Sequence, residues 1–181
     1  MRVISGTARG TQLKTPDGML TRPTADRVKE ALFSILQFDI PGTEVLDLFG
    51  GTGQLGIEAL SRGSTSATFV DAREDACKLI RENLRRTHML EKGEVVHMDY
   101  LSYLNQCRKR YHIVFLDPPY AETFLENSLK RIAEIDILHS NGIIVTERPL
   151  GKELQWEHNG FTRSRDYKYG KTVLTIFRRN Q

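Results

Sequence analysis

The sequence predicts an α/β fold with a mostly parallel sheet covered on both faces by helices. Three observations predict it. Five short apolar segments alternate with amphipathic helical stretches, the pattern of strands buried on both faces. The last two strand-like segments have no helix between them and Gly170 at their turn, so they read as an antiparallel hairpin. Glycines and acids gather just after the strand segments, where open sheets of this kind bind ligands.

The elements follow in order. MRVIS, a turn around Gly6 to Gly10, and TQLKT read as a small hairpin, and Pro16-Asp17-Gly18 as a turn. In RPTADRVKEALFSIL, Thr24 is suited to cap a helix on which Val28, Leu32, Ile35 and Leu36 recur at helical spacing. After Pro41-Gly42 come strand segments 43–48, 66–71, 93–98, 112–117 and 142–147, with helical stretches at 54–63, 73–90, 99–107 and 122–135. The final hairpin joins 161–170 to 171–179. Residues 1–181 read as one domain, in which 1–40 form an extension leading into an α/β body over 41–181.

Composition narrows the class. The 181 residues are 39% hydrophobic and 27% charged, ordinary for a globular chain, and no apolar run reaches bilayer length. MRVISGTARG lacks the apolar stretch of a signal peptide. Cys77 and Cys107 form no C-x-x-C and read as structural thiols in a reducing cytoplasm, and the five histidines stand at no metal-ligand spacing, so no metal is expected. The net charge of +3 is uneven. Residues 1–30 carry a net of +3 and 148–181 a net of +5, around a centre of −5, so a polyanion would be gripped by the two ends.

The first strand segment ends in DLFGGTGQLGIEAL. Gly50, Gly51 and Gly53 allow a tight turn with room for a ligand, and the helix behind them offers free N–H groups. Asp71, about twenty residues on, is placed to accept ribose hydroxyls. Gly51 to Gly56 satisfies G-x-G-x-x-G, so a nicotinamide dinucleotide and S-adenosyl-L-methionine both remain open at this turn. Asp47 suits the cationic methionine end of the second. No Gly-Lys-Ser/Thr follows, which excludes a triphosphate loop. Phe49 and Ala72 border these strand tips. Asp99 is a candidate acceptor for an adenine amine and equally a helix N-cap, with Tyr100 or Leu101 to cover the ring.

The fourth strand segment ends in Asp117-Pro118-Pro119-Tyr120. Two prolines stiffen the turn, and the Asp117 carboxylate and Pro118 carbonyl are suited to take both hydrogens of one planar amine. Tyr120 offers a face on which a base would stack. Such hydrogen bonds oppose delocalisation of the amine lone pair and favour charge developing on nitrogen during methyl transfer. Taken with the glycine turn, this points to amino-group methylation of a nucleobase.

DLFGGTGQLGIEALSRG, FVDAR and DPPY in this order resemble the N6-adenine and N2-guanine methyltransferases. RVISGTARGTQLKTP followed by RPTADRVKEALFSIL resembles more closely the bacterial RsmD family, which methylates guanine N2 in small-subunit ribosomal RNA. The resemblance implies a Rossmann-like fold of seven strands and a target in 16S rRNA or a small-subunit assembly particle. It implies that Asp47, Gly51 and Gly53 hold the methionine part, Asp71 the ribose and Asp99 the adenine, while Asp117, Pro118 and Tyr120 hold the target amine. Arg22, Pro23 and Thr24 match the family's segment before the first helix. So little protein outside the sheet favours folded RNA, read by shape and phosphate contacts, over autonomous reading of DNA sequence. The basic candidates are Arg2, Arg9, Lys14, Arg22, Arg163, Arg165, Lys168 and Lys171. A monomer is the expected state. The alternatives are a DNA adenine-N6 methyltransferase, an NAD-binding oxidoreductase and a non-catalytic RNA-binding module.

Overall fold

The structure, a computed structural model, describes residues 1–16, 23–119 and 123–181, and of residues 23–25 the backbone alone. Arg22, Tyr120 and the Asp17-Gly18 part of the expected turn lie outside the described residues, as does the side chain of Thr24.

Helix α1 spans Pro23–Ile35, beginning ahead of the expected cap, since proline's fixed φ suits a first helical position. Strand β1 (Glu44–Asp47) leads through the glycine turn into α2 (Gln54–Ser61). Then follow β2 (Ser66–Asp71), α3 (Glu74–Arg86), β3 (Gly93–His97), α4 (Tyr100–Gln106), β4 (Tyr111–Leu116) and α5 (Phe124–Ile135). The chain ends with β5 (Leu138–Pro149), β6 (Phe161–Arg163), β7 (Tyr167–Tyr169) and β8 (Thr172–Arg179). The sheet runs β3-β2-β1-β4-β5-β8-β6, with β7 also on β8. Strands β1 to β5 pair in parallel and β8 is antiparallel to β5.

The strand count departs from seven for a local reason. β6 and β7 both pair with β8, at its end and its start respectively, so they are two halves of one edge strand. Asp166, between them, turns in to meet the buried guanidinium of Arg148 at 2.5 Å and the Thr175 hydroxyl at 2.7 Å. That inward carboxylate interrupts the ladder. Helix α3 stops at Arg86, short of the expected 90, where the Thr87 hydroxyl donates to the Asn83 carbonyl at 2.9 Å and His88 turns to φ 57°. β5 begins four residues early because Leu138 pairs with Tyr111 before a register shift restarts the ladder at Ile143.

Alternation along the strands divides the core. Val45, Ile113, Phe115, Ile143 and Val145 face α1, α2 and α3, while Leu46, Val114, Leu116 and Ile144 face α4 and α5. Burial on both faces is what these near-continuous apolar strands require. Val3, Ala8 and Leu13 of the N-terminal segment join the first cluster. The segment is a loose hairpin with a single bridge, Arg2 to Gln12.

Candidate active site

The glycine turn is built by close packing on one side and open space on the other. A Cβ at Gly50 would come within 2.8 Å of Ile80, and one at Gly53, the left-handed residue that opens α2, within 3.2 Å of Ile57 and Ile80. Gly51 also needs glycine for its φ of 56°, yet the nearest atom to a Cβ there is 3.8 Å away, so its outer side is free for a ligand. The Gly51 N–H donates to Asp71 at 2.9 Å, and the Arg73 N–H donates to the other Asp71 oxygen at 2.9 Å. The acid at the tip of β2 thus ties the turn to the start of α3.

Asp47 is buried at the end of β1, where its carboxylate accepts the Gly56 N–H at 3.1 Å. Burial raises its pKa to about 8, with the charges of Asp117 and Asp71 adding to the rise. Asp99 caps α4, accepting from the Leu101 and Ser102 N–H groups at 3.1 and 3.0 Å, and its pKa is lowered by the hydrogen bonds with Ser102. The capping role is thus realised, and exposed carboxylate surface remains for an acceptor role. Phe49 and Tyr100 meet at 5.2 Å, and Phe124 stands 6.2 Å from Phe49 and 5.2 Å from Tyr100. Together they form a half-buried aromatic wall beside the strand tips. Ala72 is exposed at the end of β2, its carbonyl 3.0 Å from His97 Nε2.

β1 and β4 are neighbours, with Asp47 opposite Phe115, so the glycine turn and the Asp117-Pro118-Pro119 turn emerge side by side. Burial lifts the Asp117 pKa to about 6. Pro118 is half-buried and Pro119 exposed.

Sequence reading missed four contributors. Glu147 extends β5 beside Asp117, since Leu116 pairs with Thr146 one step earlier, and burial followed by the charge of Asp117 lifts its pKa to about 8. Phe124 completes the aromatic wall. Asn83, fully buried in α3, holds the N–H and carbonyl of Lys14 at 2.7 and 3.0 Å and the Thr52 carbonyl at 2.9 Å. Glu58, fully buried in α2, accepts from Ile4 N and Ser5 N at 2.8 and 3.0 Å and from Arg62 at 2.8 Å. Helical spacing accounts for the Glu58–Arg62 pair, but period and charge give no hint of the backbone partners of Glu58 and Asn83, which lie far away in sequence.

The basic candidates divide. Arg9, Lys168 and Lys171 are exposed, and Arg165 lies over Tyr167 at 5.1 Å. Arg2 and Lys14 are exposed but pair with Asp26 and Glu82 at 3.8 and 2.5 Å. Arg163 is committed to the fold, donating to the Leu154 carbonyl at 2.6 Å and to Asp166 at 3.3 Å.

Cys77 is buried and free, and Cys107 is free. Histidines separated in sequence do meet across the sheet. His112 and His139 stack at 4.1 Å, with the Glu44 carboxylate 3.3 Å from His139 and 4.0 Å from His112. Among the described residues this is the only group close enough to share a metal ion. It lies at the starts of the interior strands β1, β4 and β5, the opposite end from the glycine turn, and His112 Nδ1 already accepts the Glu44 N–H at 3.1 Å. No described helix is long and apolar enough to cross a membrane.

The model of the family described as Conserved hypothetical protein 95 matches residues 1–178. The chain is 36% identical to the Ribosomal RNA small subunit methyltransferase D of Haemophilus influenzae, over 85% of this chain and 81% of that one. It is 31% identical to the Escherichia coli K12 protein of the same name, over 99% and 90%. A solved structure of the E. coli protein yhhF matches with a TM-score of 0.90 at 29% identity, covering 100% of this chain and 98% of that one.

Proposed function

Because the chain belongs to the Conserved hypothetical protein 95 family, the RsmD family of the sequence resemblance, we propose that it is an S-adenosyl-L-methionine-dependent methyltransferase acting on the N2 amine of a guanine in 16S rRNA. The observation that carries the chemistry is the adjacency of two turns, the glycine turn after β1 and Asp117-Pro118-Pro119 after β4. The relatives' names support small-subunit rRNA as substrate, and the resemblance supports guanine N2. DNA adenine gains nothing from these observations.

The residues suit the donor. A buried acid at Asp47, raised to about 8 for want of solvent, gains from a cation, and the open side of Gly51 leaves backbone free for close approach. S-adenosyl-L-methionine supplies an electrophilic methyl group on a sulfonium and an ammonium at its methionine end. Asp47, Gly50, Gly51 and Gly53 would bind the methionine part, Asp71 and Ala72 the ribose, and Phe49, Asp99 and Tyr100 the adenine. Asp117 and the Pro118 carbonyl would hold the two amine hydrogens, with Pro119 fixing the turn and Tyr120 stacking on the base. Asp117, with a pKa of about 6, is charged at neutral pH and able to take the proton that the methylated amine releases. Residues 1–40 would contact RNA and 41–181 catalyse, in one cytoplasmic, metal-free, monomeric domain.

The test is transfer of labelled methyl to unmodified small subunits, naked 16S rRNA, large-subunit rRNA and duplex DNA, with the product nucleoside identified by mass. Methylguanosine from small-subunit material is expected, and methyladenine from DNA would overturn the substrate. Asp117→Ala should abolish turnover while donor affinity falls less than about tenfold, or 1.4 kcal/mol. A larger loss would contradict the division between donor and amine sites.

A further inference from the structure

We propose that Glu147 reads the N1–H of the target guanine and so selects guanine over purines that present a lone pair at that position. The inference rests on the function proposed above and adds a residue to the same site.

The geometry begins with the sheet. Glu147 follows Thr146, the partner of Leu116, so it stands beside Asp117 on the neighbouring parallel strand. Adjacent strands lie about 4.8 Å apart. Two carboxyl groups therefore leave the sheet on adjoining strands, near enough for both side chains to converge on one base edge. Their proximity is felt electrostatically, since the charge of Asp117 raises the Glu147 pKa.

Glu147 also lines a cavity next to the double-proline turn, walled by Pro118, Pro119, Leu125 and Pro149. Its charged lining consists of the carboxyl groups of Glu126, Glu147 and Glu153 and the cations Arg148 and Lys152. Glu126 contributes a buried Oε2 without a hydrogen-bond partner among the described residues. Arg148, which also lines it, is spent elsewhere: its guanidinium donates to Asp166, Thr175 and the Lys152 carbonyl at 2.5, 2.6 and 2.9 Å. None of the ion pairs among the described residues includes Glu147. At about 20 Å³ the cavity has room for little more than a water molecule, so a flat base would lie across its mouth and turn its donating edge to the carboxyl oxygens.

Guanine has such an edge, with N1–H beside the N2 amine. With Asp117 and Pro118 on the amine, the next acceptor along the edge would meet N1–H, and Glu147 is the carboxylate on the adjoining strand. Adenine and 2-aminopurine carry an amine beside a bare N1, so an ionised Glu147 would set a negative charge against a lone pair. A site built around a substrate N–H discriminates sharply against an analogue lacking it.

Once the labelled nucleotide of the wild-type reaction is mapped, small subunits are reconstituted with 16S rRNA carrying guanosine or 2-aminopurine there. Both analogues keep the N2 amine. At pH 8.5, where the carboxyl is mostly charged, wild-type kcat/KM should favour guanosine by about 100-fold, towards the upper end of what one well-placed base contact supplies. Glu147→Gln, whose amide serves either edge, should bring the ratio below about tenfold by losing guanosine activity and gaining 2-aminopurine activity. Glu147→Ala should also collapse the ratio, and donor binding certifies that each variant is folded. A structural role for Glu147 would lower both activities and leave the ratio unchanged, which overturns the inference. Absence of transfer to the guanosine particle by wild type would instead sink the proposed function.

Discussion

Asp47, Asp117 and Glu147 stand at the tips of three adjacent strands, and burial raises the pKa of each. For Asp47 the folded value of about 8 exceeds the ordinary 3.8, so the folded chain holds a proton that the unfolded chain releases. Its contribution to stability is therefore full below pH 3.8 and is lost as pH rises towards about 8. Asp47→Asn should remove that loss, so its melting temperature relative to wild type climbs between pH 5 and 8. A cationic donor reverses the preference by favouring the charged carboxylate. Donor affinity should thus strengthen by roughly tenfold from pH 6 to 7.5, the scale set by a titration of this size. Calorimetry in two buffers of different ionisation enthalpy should detect a released proton. A flat affinity without proton release would show that Asp47 does not meet the donor's charge. Asp47 and Asp117 were legible in the sequence because each closes an apolar strand and opens a glycine or proline turn. Glu147 was not, because its meaning depends on which strand lies beside β4, and strand order is invisible to a local pattern.

At the level of elements, the strands and helices were legible because alternation and helical spacing are local properties of the chain. Departures came where a distant side chain intervenes: Asp166 drawn in to Arg148 splits the edge strand, and Asn83 and Glu58 gather the N-terminal segment onto α3 and α2. The second tether can be weighed. Glu58 and Lys29 are buried side chains, 3.6 Å apart at 0% and 2% exposure. Burial lowers the Lys29 pKa, with Glu58 opposing the fall. Glu58→Gln removes the stronger counter-charge of the ammonium and leaves only the weaker pull of Asp26, which costs about 3 kcal/mol for a buried pair broken on one side. At ~2–4 °C per kcal/mol for a chain of this size, the melting temperature should drop by roughly 6–12 °C. The deficit should narrow as pH climbs towards 10.5, because a neutral Lys29 is cheaper to bury. A deficit independent of pH would locate the loss in the backbone contacts of Ile4 and Ser5 instead.

Across the whole molecule, charge and fold separate basic residues left free to meet RNA from those committed to holding the protein. The sequence places positive charge at both ends of the chain, and from sequence alone all eight basic candidates are equivalent. The structure ranks those it describes. Arg163 is bound to Leu154 and Asp166 and lies over Phe177 at 5.9 Å, so its loss should cost stability. Arg9 and Lys168 are exposed, and no described acid pairs with either. Phosphate contacts release counterions, so each one contributes close to one unit to the slope of log affinity against log salt, about 0.7 for single strands and 0.9 for a duplex. Arg9→Gln and Lys168→Gln should each flatten the slope for small-subunit RNA by that amount and leave the melting temperature within ~2 °C, as for surface changes generally. Arg163→Gln should do the reverse, lowering the melting temperature while the slope stays within error. Filter binding over a salt series, beside thermal denaturation of the same variants, separates the two groups. If Arg9 and Lys168 leave the slope untouched while Arg163 changes it, RNA lies against the β6–β8 edge through residues that also hold the fold, and the N-terminal segment is a structural clasp rather than an RNA grip.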